Sequence, residues 1–455
     1  MSLPAIFLDS LTGTPGFDLQ AFSQVHRSGE QVTSVRVHPQ KGEDNSRTIA
    51  GIPASPVPWS RYGYYLDERP SFTFDPLFHA GTYYVQEASS MFLEQAFLQL
   101  NKGEEGIKVL DLCAAPGGKS THLLSLLPAN SLLVSNEVIR QRAGVLKENI
   151  IKWGAENAVV TNNDPKDFAH LSGFFDVLVI DAPCSGSGLF RRDPEAIQEW
   201  SLNNVALCSQ RQQRILADVW PALKEGGVLI YSTCSYSAEE DEQIMDWIQR
   251  ELGGENCLLT VDPAWGILET TSESSNRGYR FWPDRLKGEG FFLACFRKTT
   301  GDSVAPVKPR KLPDAASKAD REMTGRWMDV SGKTLIRHQQ TVYAWPAELY
   351  NEFVWLLEQT KVLYSGIKTG ELMRDKLVPD HAMAMSSLVL PGIRRVELDN
   401  GAAIRYLQRK DIQLVGQTPG WALACFQGKP LGWLNILPGR VNNYYPKELR
   451  ILKDI

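Results

Sequence analysis

Between Gln86 and Lys298 the chain alternates short apolar runs with longer amphipathic stretches, and this rhythm constrains the fold more than any other feature. The runs are Lys108–Leu112, Ser131–Ser135, Ala158–Thr161, Val177–Asp181 and Val228–Ser232. The stretches between them include Lys119–Leu127, Val138–Trp153, Asn203–Leu223 and Ala238–Arg250. A short unbroken apolar run reads as a strand buried on both faces, and a longer run with one polar side reads as a surface helix. Strands alternating with helices predict a doubly wound α/β sheet, most of it parallel. Such sheets bind ligands beyond the carboxyl ends of their strands, so chemistry is expected in the residues just after each run. A further helix is expected at Gln86–Leu100, from the spacing of Met91, Phe92, Ala96, Phe97 and Leu100.

A chain of 455 residues is longer than one hydrophobic core usually organises. Residues 1–85 read as an N-terminal subdomain, punctuated by Pro53, Pro56 and Pro58, with a short strand at Ser34–His38 and an aromatic cluster at Tyr62-Gly63-Tyr64-Tyr65. Residues 86–298 hold the α/β pattern. Residues 299–320, rich in Pro, Lys and small side chains, read as a linker. Residues 321–455 carry a predicted helix at Ala347–Gln359 and, from Val378, strand-like segments punctuated by Gly and Pro. From Gly301 onward there are 22 Lys and Arg against 16 Asp and Glu, so that part is at +6 while the first 300 residues are at -11. An acidic catalytic part joined to a basic appendage suits a nucleic-acid substrate. Seven cysteines with no C-x-x-C pair fit a reducing cytoplasm better than a disulfide framework or a metal site. No apolar run is long enough to span a membrane, and the N-terminal residues lack a basic signal-peptide start.

The first run leads into VLDLCAAPGGKS, from Val109 to Ser120. Gly117 and Gly118 let the backbone approach a ligand, and the helix starting near Lys119 offers free N–H groups to an anion. A phosphate-binding P-loop would need glycine where Cys113 stands, and the dinucleotide pattern G-x-G-x-x-G is absent. A loop without phosphate-cradling spacing suits S-adenosylmethionine (SAM), whose tail is an amino acid. The candidate contacts are Cys113, Ala114, Ala115, Pro116, Gly117, Gly118 and Lys119. Glu137, just after the second run, is placed to accept the ribose hydroxyls. Asp164, after the third, is placed to receive the adenine amino group.

Cys184 follows the fourth run in DVLVIDAPCSGSG, and Cys234 follows the fifth in GGVLIYSTCSYS. Both therefore fall at the rim that carries the glycine loop, whereas Cys208, Cys257, Cys295 and Cys425 are expected to be small buried hydrophobes. A thiol at this rim has a use. Carbon-5 of cytosine is a poor nucleophile until a thiolate adds to carbon-6 and turns the ring into an enamine-like species. Ring nitrogen 3 then needs an acid or hydrogen-bond donor, for which Asp181 is the candidate.

Together DLCAAPGGKS, SNE, DAPCSGSG and STCSYS resemble the motifs of the Sun/Fmu-type RNA 5-methylcytosine methyltransferase family. TYYVQEASSM and FWPDRLKGEGFF resemble further segments of that family. The resemblance spans Phe74–Lys298. It implies a Rossmann-like methyltransferase sheet, with Cys234 as nucleophile and Cys184 assisting release of the methylated product. It also implies SAM contacts at Cys113–Lys119, Glu137, Asp164 and Asp181; Asn136-Glu137 stands where many members have Asp, which keeps the carboxylate. The C-terminal stretch more weakly resembles the PUA-like appendage of small-subunit rRNA members, the RsmF/YebU type. On that resemblance residues 1–85 and 321–455 are RNA-binding, the partner is 16S rRNA, within the 30S particle or free, and the protein is a cytoplasmic monomer with no metal. Arg394, Arg395, Arg405, Arg409 and Lys410 are the candidate phosphate contacts. Three other readings stand beside this one. A DNA cytosine methyltransferase would use the PC cysteine and carry ENV, which is absent here; the others are a tRNA-modifying relative and an inert RNA-binding assembly factor.

Overall fold

The computed structural model describes residues 3–42, 48–301, 312–374, 376–414 and 416–453. Its centre is a ten-stranded sheet. In chain order the strands are β1 (Lys108–Asp111), β2 (Leu132–Asn136), β3 (Ala158–Thr161), β4 (Phe175–Asp181), β5 (Leu223–Thr233), β6 (Gly254–Cys257), β7 (Leu268–Thr271), β8 (Arg277–Phe281), β9 (Phe291–Lys298) and β10 (Val362–Ser365). They lie in the order β7-β8-β9-β5-β4-β1-β2-β3-β10, with β6 paired to β9. The five strands expected from the sequence, β1 to β5, are parallel, and the flanking ones run antiparallel. Strand order reverses between β1 and β4, which opens a crevice where their following loops diverge.

The apolar runs are unbroken because the sheet is covered on both faces. Val109, Val177, Val179 and Ile230 pack on one side with Met91, Phe92 and Phe97. Their chain neighbours Leu110, Leu178, Ile180 and Leu229 pack on the other with Ile215, Leu216 and Val219. Each such side chain, fully buried, contributes roughly 1.5–3 kcal/mol, so the strand tips rest on a rigid platform.

Several boundaries differ from the sequence-based expectation. The helix predicted at Asn203–Leu223 is Leu202–Val219 followed by a 3-10 turn, Trp220–Ala222, because Pro221 cannot donate into a continuing helix. Leu223 already belongs to β5, whose register is irregular up to Val228 around Gly226, at φ +76°. The helix expected at Gln86–Leu100 is α-helical only from Leu93, after a 3-10 turn at Ser89–Phe92. Of the stretch read as a linker, 302–311 lies outside the described residues. Its end is structured: Ser317 caps the helix Lys318–Thr324. β10, from beyond that stretch, joins the central sheet beside β3.

The N-terminal part forms a five-stranded sheet that includes the expected strand, at Thr33–Val37. Tyr64 and Tyr65 are buried in it, so this part of the aromatic cluster packs a core instead of facing RNA. The buried Arg36 guanidinium reaches from this sheet to the helix Gly118–Leu126. It donates to Thr121 Oγ1 (2.6 Å), Ser125 Oγ (2.9 Å) and Gln86 Oε1 (2.9 Å), and stacks on Trp153. The C-terminal part holds two four-stranded sheets and the helix Tyr350–Gln359.

Four of the arginines expected to grip phosphate are engaged within their own module. Arg394 donates to Gly420 O, Arg395 to Gly428 O, Arg405 to Asp411 O and Arg409 to Tyr445 O. Guanidiniums have five donors, so these bonds fix the side chains without exhausting them.

Candidate active site

The glycine loop leaves β1 at the point where strand order reverses. Gly117 sits at φ +113°, a left-handed conformation that a side chain would strain, and caps the helix Gly118–Leu126. Arg142 donates to Ala115 O (2.8 Å) and Asn149 to Pro116 O (2.9 Å), which holds the loop open from outside. Beneath it, the Asn136 side chain donates to Leu112 O and Asn163 O and accepts from Thr161 Oγ1 and Asn163 N–H. One amide thus locks the loops after β1, β2 and β3 together. Sequence reasoning credited only its neighbour Glu137.

A cleft of about 300 Å³ opens here. Cys113, Ala114, Ala115, Pro116, Gly118, Lys119, Asp181 and Cys234 all line it, so the expected residues from three strand ends meet in one place. Gln86, Arg192 and Glu289 line it as well. Glu289 lies inside a motif segment, but nothing in the sequence marked Arg192. A larger cleft, about 540 Å³, lies between the N-terminal sheet and the C-terminal module near Lys41 and Lys429; it holds no thiol.

Glu137 and Asp164 do not line the cleft. Glu137 is buried at the tip of β2, accepting from Ile139 N–H (2.9 Å) and pairing with Arg142 (3.3 Å). Asp164 caps the 3-10 helix Pro165–Leu171.

Lys119 Nζ lies 2.7 Å from Asp181 Oδ2, and Ser232 donates to Asp181 Oδ1. The ammonium therefore sits beside the carboxylate at the cleft wall. Deeper, Asp111 is fully buried with one bond, from Ser120 Oγ (2.6 Å), and its Oδ1 has no partner. Burial pushes its carboxyl up to about 7. The same burial, with Asp111, Asp181 and Glu137 nearby, pushes the Cys113 thiol up, so Cys113 is a neutral wall residue.

Cys184 Sγ and Cys234 Sγ are 3.0 Å apart. Cys234 lines the cleft and Cys184 stands behind it. The hydrogen bond to Cys234 and burial push the Cys184 thiol well up, with Glu240 adding to the shift. Cys184 is therefore held as the neutral thiol, in a hydrogen bond with Cys234 in which either sulfur can donate. Two further links stitch these loops: Gly188 N–H to Cys234 O (2.8 Å) and Tyr236 N–H to Ser187 Oγ (3.0 Å). Gly188 is required at this seam, since a Cβ there would lie 2.4 Å from Gly290 O and 2.8 Å from Cys234 O. Cys208, Cys295 and Cys425 are buried as expected, but Cys257 is only partly buried, on β6 at the margin of the sheet.

Comparison with known proteins agrees with this architecture. Residues 96–297 match the family described as 16S rRNA methyltransferase RsmB/F. Residues 3–88 match the N-terminal domain of 16S rRNA methyltransferase RsmF, and 393–451 match the methyltransferase RsmF PUA domain. The chain is 31% identical to ribosomal RNA small subunit methyltransferase F of Aeromonas salmonicida (strain A449), over 86% of this chain and 84% of that protein. It is 29% identical to the protein of the same name from Shewanella sp. (strain ANA-3), over 91% and 90%. A solved methyltransferase homologue from Pyrococcus horikoshii is 27% identical, covers 65% of this chain and all of its own, and superposes with a TM-score of 0.52. NSun6 from the same organism shares the fold, at a TM-score of 0.55 and 19% identity over 66% of this chain and 99% of its own. With a Rossmann-like sheet at its centre and a PUA domain at its end, the chain belongs to the RsmB/F family of 16S rRNA methyltransferases.

Proposed function

We propose that the protein transfers a methyl group from SAM to carbon-5 of a cytosine in 16S rRNA, through a transient bond between Cys234 and carbon-6. The observation that carries this reading is the thiol pair at the tips of β4 and β5, one sulfur of which faces the cleft lined by the glycine loop.

The residues fit SAM. The loop Cys113–Lys119 ends on a helix start whose N–H groups suit a carboxylate, and Glu137 is an acceptor fixed at the tip of β2. Asp164 stands at the end of β3 as the candidate for the adenine amino group. When bound, SAM supplies an electrophilic methyl group.

The protein's own residues do the rest. Cys234 loses its thiol proton to water, the thiolate bonds carbon-6, and the displaced ring electrons are drawn towards nitrogen 3. Asp181 faces that nitrogen and relays a proton held by Lys119 across their 2.7 Å contact. This refines the sequence reading, in which Asp181 alone was the acid. Once carbon-5 carries the methyl group, its proton leaves to water, the carbon–sulfur bond breaks to release the Cys234 thiolate, and nitrogen 3 returns its proton through Asp181 to Lys119. Cys184, with its proton retained, donates the hydrogen bond that steadies the departing Cys234 thiolate.

The target cytosine must be unpaired or turned out of its helix to reach the cleft. The PUA domain and the N-terminal sheet are the surfaces proposed to hold the surrounding RNA. We place the protein in the cytoplasm, acting as a monomer; among the described residues no helix is long and apolar enough to cross a membrane. The test is incubation with methyl-labelled SAM and either 16S rRNA, assembled 30S particles, tRNA or duplex DNA, followed by nucleoside analysis. 5-Methylcytidine from 16S rRNA or 30S particles is the expected product. Label appearing only in tRNA or DNA, or binding of SAM without transfer, overturns the assignment.

A further inference from the structure

Behind the two sulfurs, and absent from the cleft wall, lies the fully buried carboxylate of Glu240. It follows β5 by seven residues, on the loop that enters the helix Glu242–Leu252. Four donors converge on it. Ser185 gives its backbone N–H to Oε1 (2.8 Å) and its hydroxyl to Oε2 (2.5 Å). Ser235 gives its hydroxyl to Oε2 (2.6 Å), and Gln212 gives its amide to Oε1 (3.1 Å).

The identity of these donors matters. Ser185 is the residue after Cys184, and Ser235 is the residue after Cys234. The same Gln212 amide also donates to Pro183 O, the residue before Cys184. Glu240 thus grips both thiol-bearing loops at once. Its main chain is pinned too, since Tyr231 Oη on β5 donates to Glu240 O (2.7 Å).

An acceptor-only carboxylate suits four donors, and a protonated one would waste a lone pair on its own hydrogen. Burial pushes the Glu240 carboxyl up while these four bonds pull against it. A group so costly to desolvate is tolerated where it fixes a geometry that packing alone would leave loose. The geometry at stake here is the 3.0 Å gap between the sulfurs.

We propose that Glu240 is a positioning residue for the reaction. By tying the residue after Cys184 to the residue after Cys234, it sets the distance across which the two thiols cooperate. This rests on the proposed thiol chemistry for its catalytic half, but not for its geometric half.

The test pairs a kinetic readout with one that needs no methyl transfer. Glu240→Gln keeps the shape and replaces one acceptor oxygen by a donor. Its kcat is expected to fall on the order of tenfold to a hundredfold, with KM for SAM and RNA within about twofold of the parent. Phenylarsine oxide must bond both sulfurs of a close pair at once, so its affinity reports their spacing directly. It is expected to fall by about tenfold in Glu240→Gln. Unchanged arsenical affinity overturns the proposal, whatever happens to kcat. Reduced affinity with an unchanged kcat shows that Glu240 sets the spacing but that the pair is not the reaction centre. That overturns both the catalytic half and the thiol mechanism. If Glu240→Gln fails to bind SAM and is unfolded, Ser235→Ala removes a single link and is read in the same way.

Discussion

Cys184 Sγ lies 3.0 Å from Cys234 Sγ, and the two sulfurs form an unequal pair because only Cys234 lines the cleft. The inner one keeps its hydrogen, while the outer one faces the cleft. Removing each should therefore fail differently. Cys234→Ala is expected to abolish methyl transfer with SAM binding retained, measured by label incorporation and equilibrium binding. Cys184→Ala is expected to let a protein–RNA adduct accumulate as a slow band on denaturing gels. An adduct band from Cys234→Ala instead would reverse the two roles.

The Lys119–Asp181 ion pair offers a second handle. Asp181→Asn keeps the shape but removes both the charge and the proton relay. General acid catalysis contributes about 10²–10⁴-fold in rate, and a single-turnover rate reduced within that range is expected. RNA binding by gel shift should change little, because the residue lies inside the cleft and not on the outer surface.

Arg36 joins the N-terminal sheet to the helix below the glycine loop. Arg36→Met fills much of the same space but leaves Gln86 Oε1 and Gly118 O without that donor. Each buried group left unsatisfied costs about 1–3 kcal/mol, so a loss of roughly 2–5 kcal/mol is expected by chemical denaturation. Faster proteolysis near Gly117 should accompany it.

Asp111 makes stability depend on pH. Its carboxyl is raised by burial from the ordinary carboxylate value to about 7 in the folded protein. A group raised in this way contributes stability that is fully present below its unfolded pKa and lost as pH rises through the folded one. Unfolding free energy should therefore fall between about pH 4 and pH 7, by at most about 1.4 kcal/mol per pH unit from this residue. Asp111→Asn should flatten that slope, and equal slopes in the two proteins would disprove the assignment.

Much of the site could be read from the chain because its residues follow the strands that hold them. Cys113–Lys119, Asp181 and Cys234 each lie within a few residues of a strand's carboxyl end, and the parallel order of the sheet brings those ends together. What escaped is what acts across elements. Asn136 bonds three loops, Arg36 links two domains and Glu240 links two cysteine loops, yet each reads locally as an ordinary polar residue. No periodicity announces such a role, since all these partners but Ser235 are 24 to 89 positions away. The C-terminal arginines show the same limit. Charge is visible in a sequence, but the backbone carbonyls that orient Arg394 and Arg405 are not.

β10 carries one more consequence. It pairs antiparallel with β3, and at one end of the pairing Asn162 N–H bonds Lys361 O while Lys361 N–H bonds Asn163 Oδ1. A protein shortened after residue 301 would leave the outer rim of β3 with bare amide and carbonyl groups, a template for pairing with another chain. The catalytic portion expressed by itself should therefore self-associate. Swinging the end of the molecule that bears the PUA domain would require unzipping a strand from the same sheet that carries Cys184 and Cys234 at its tips.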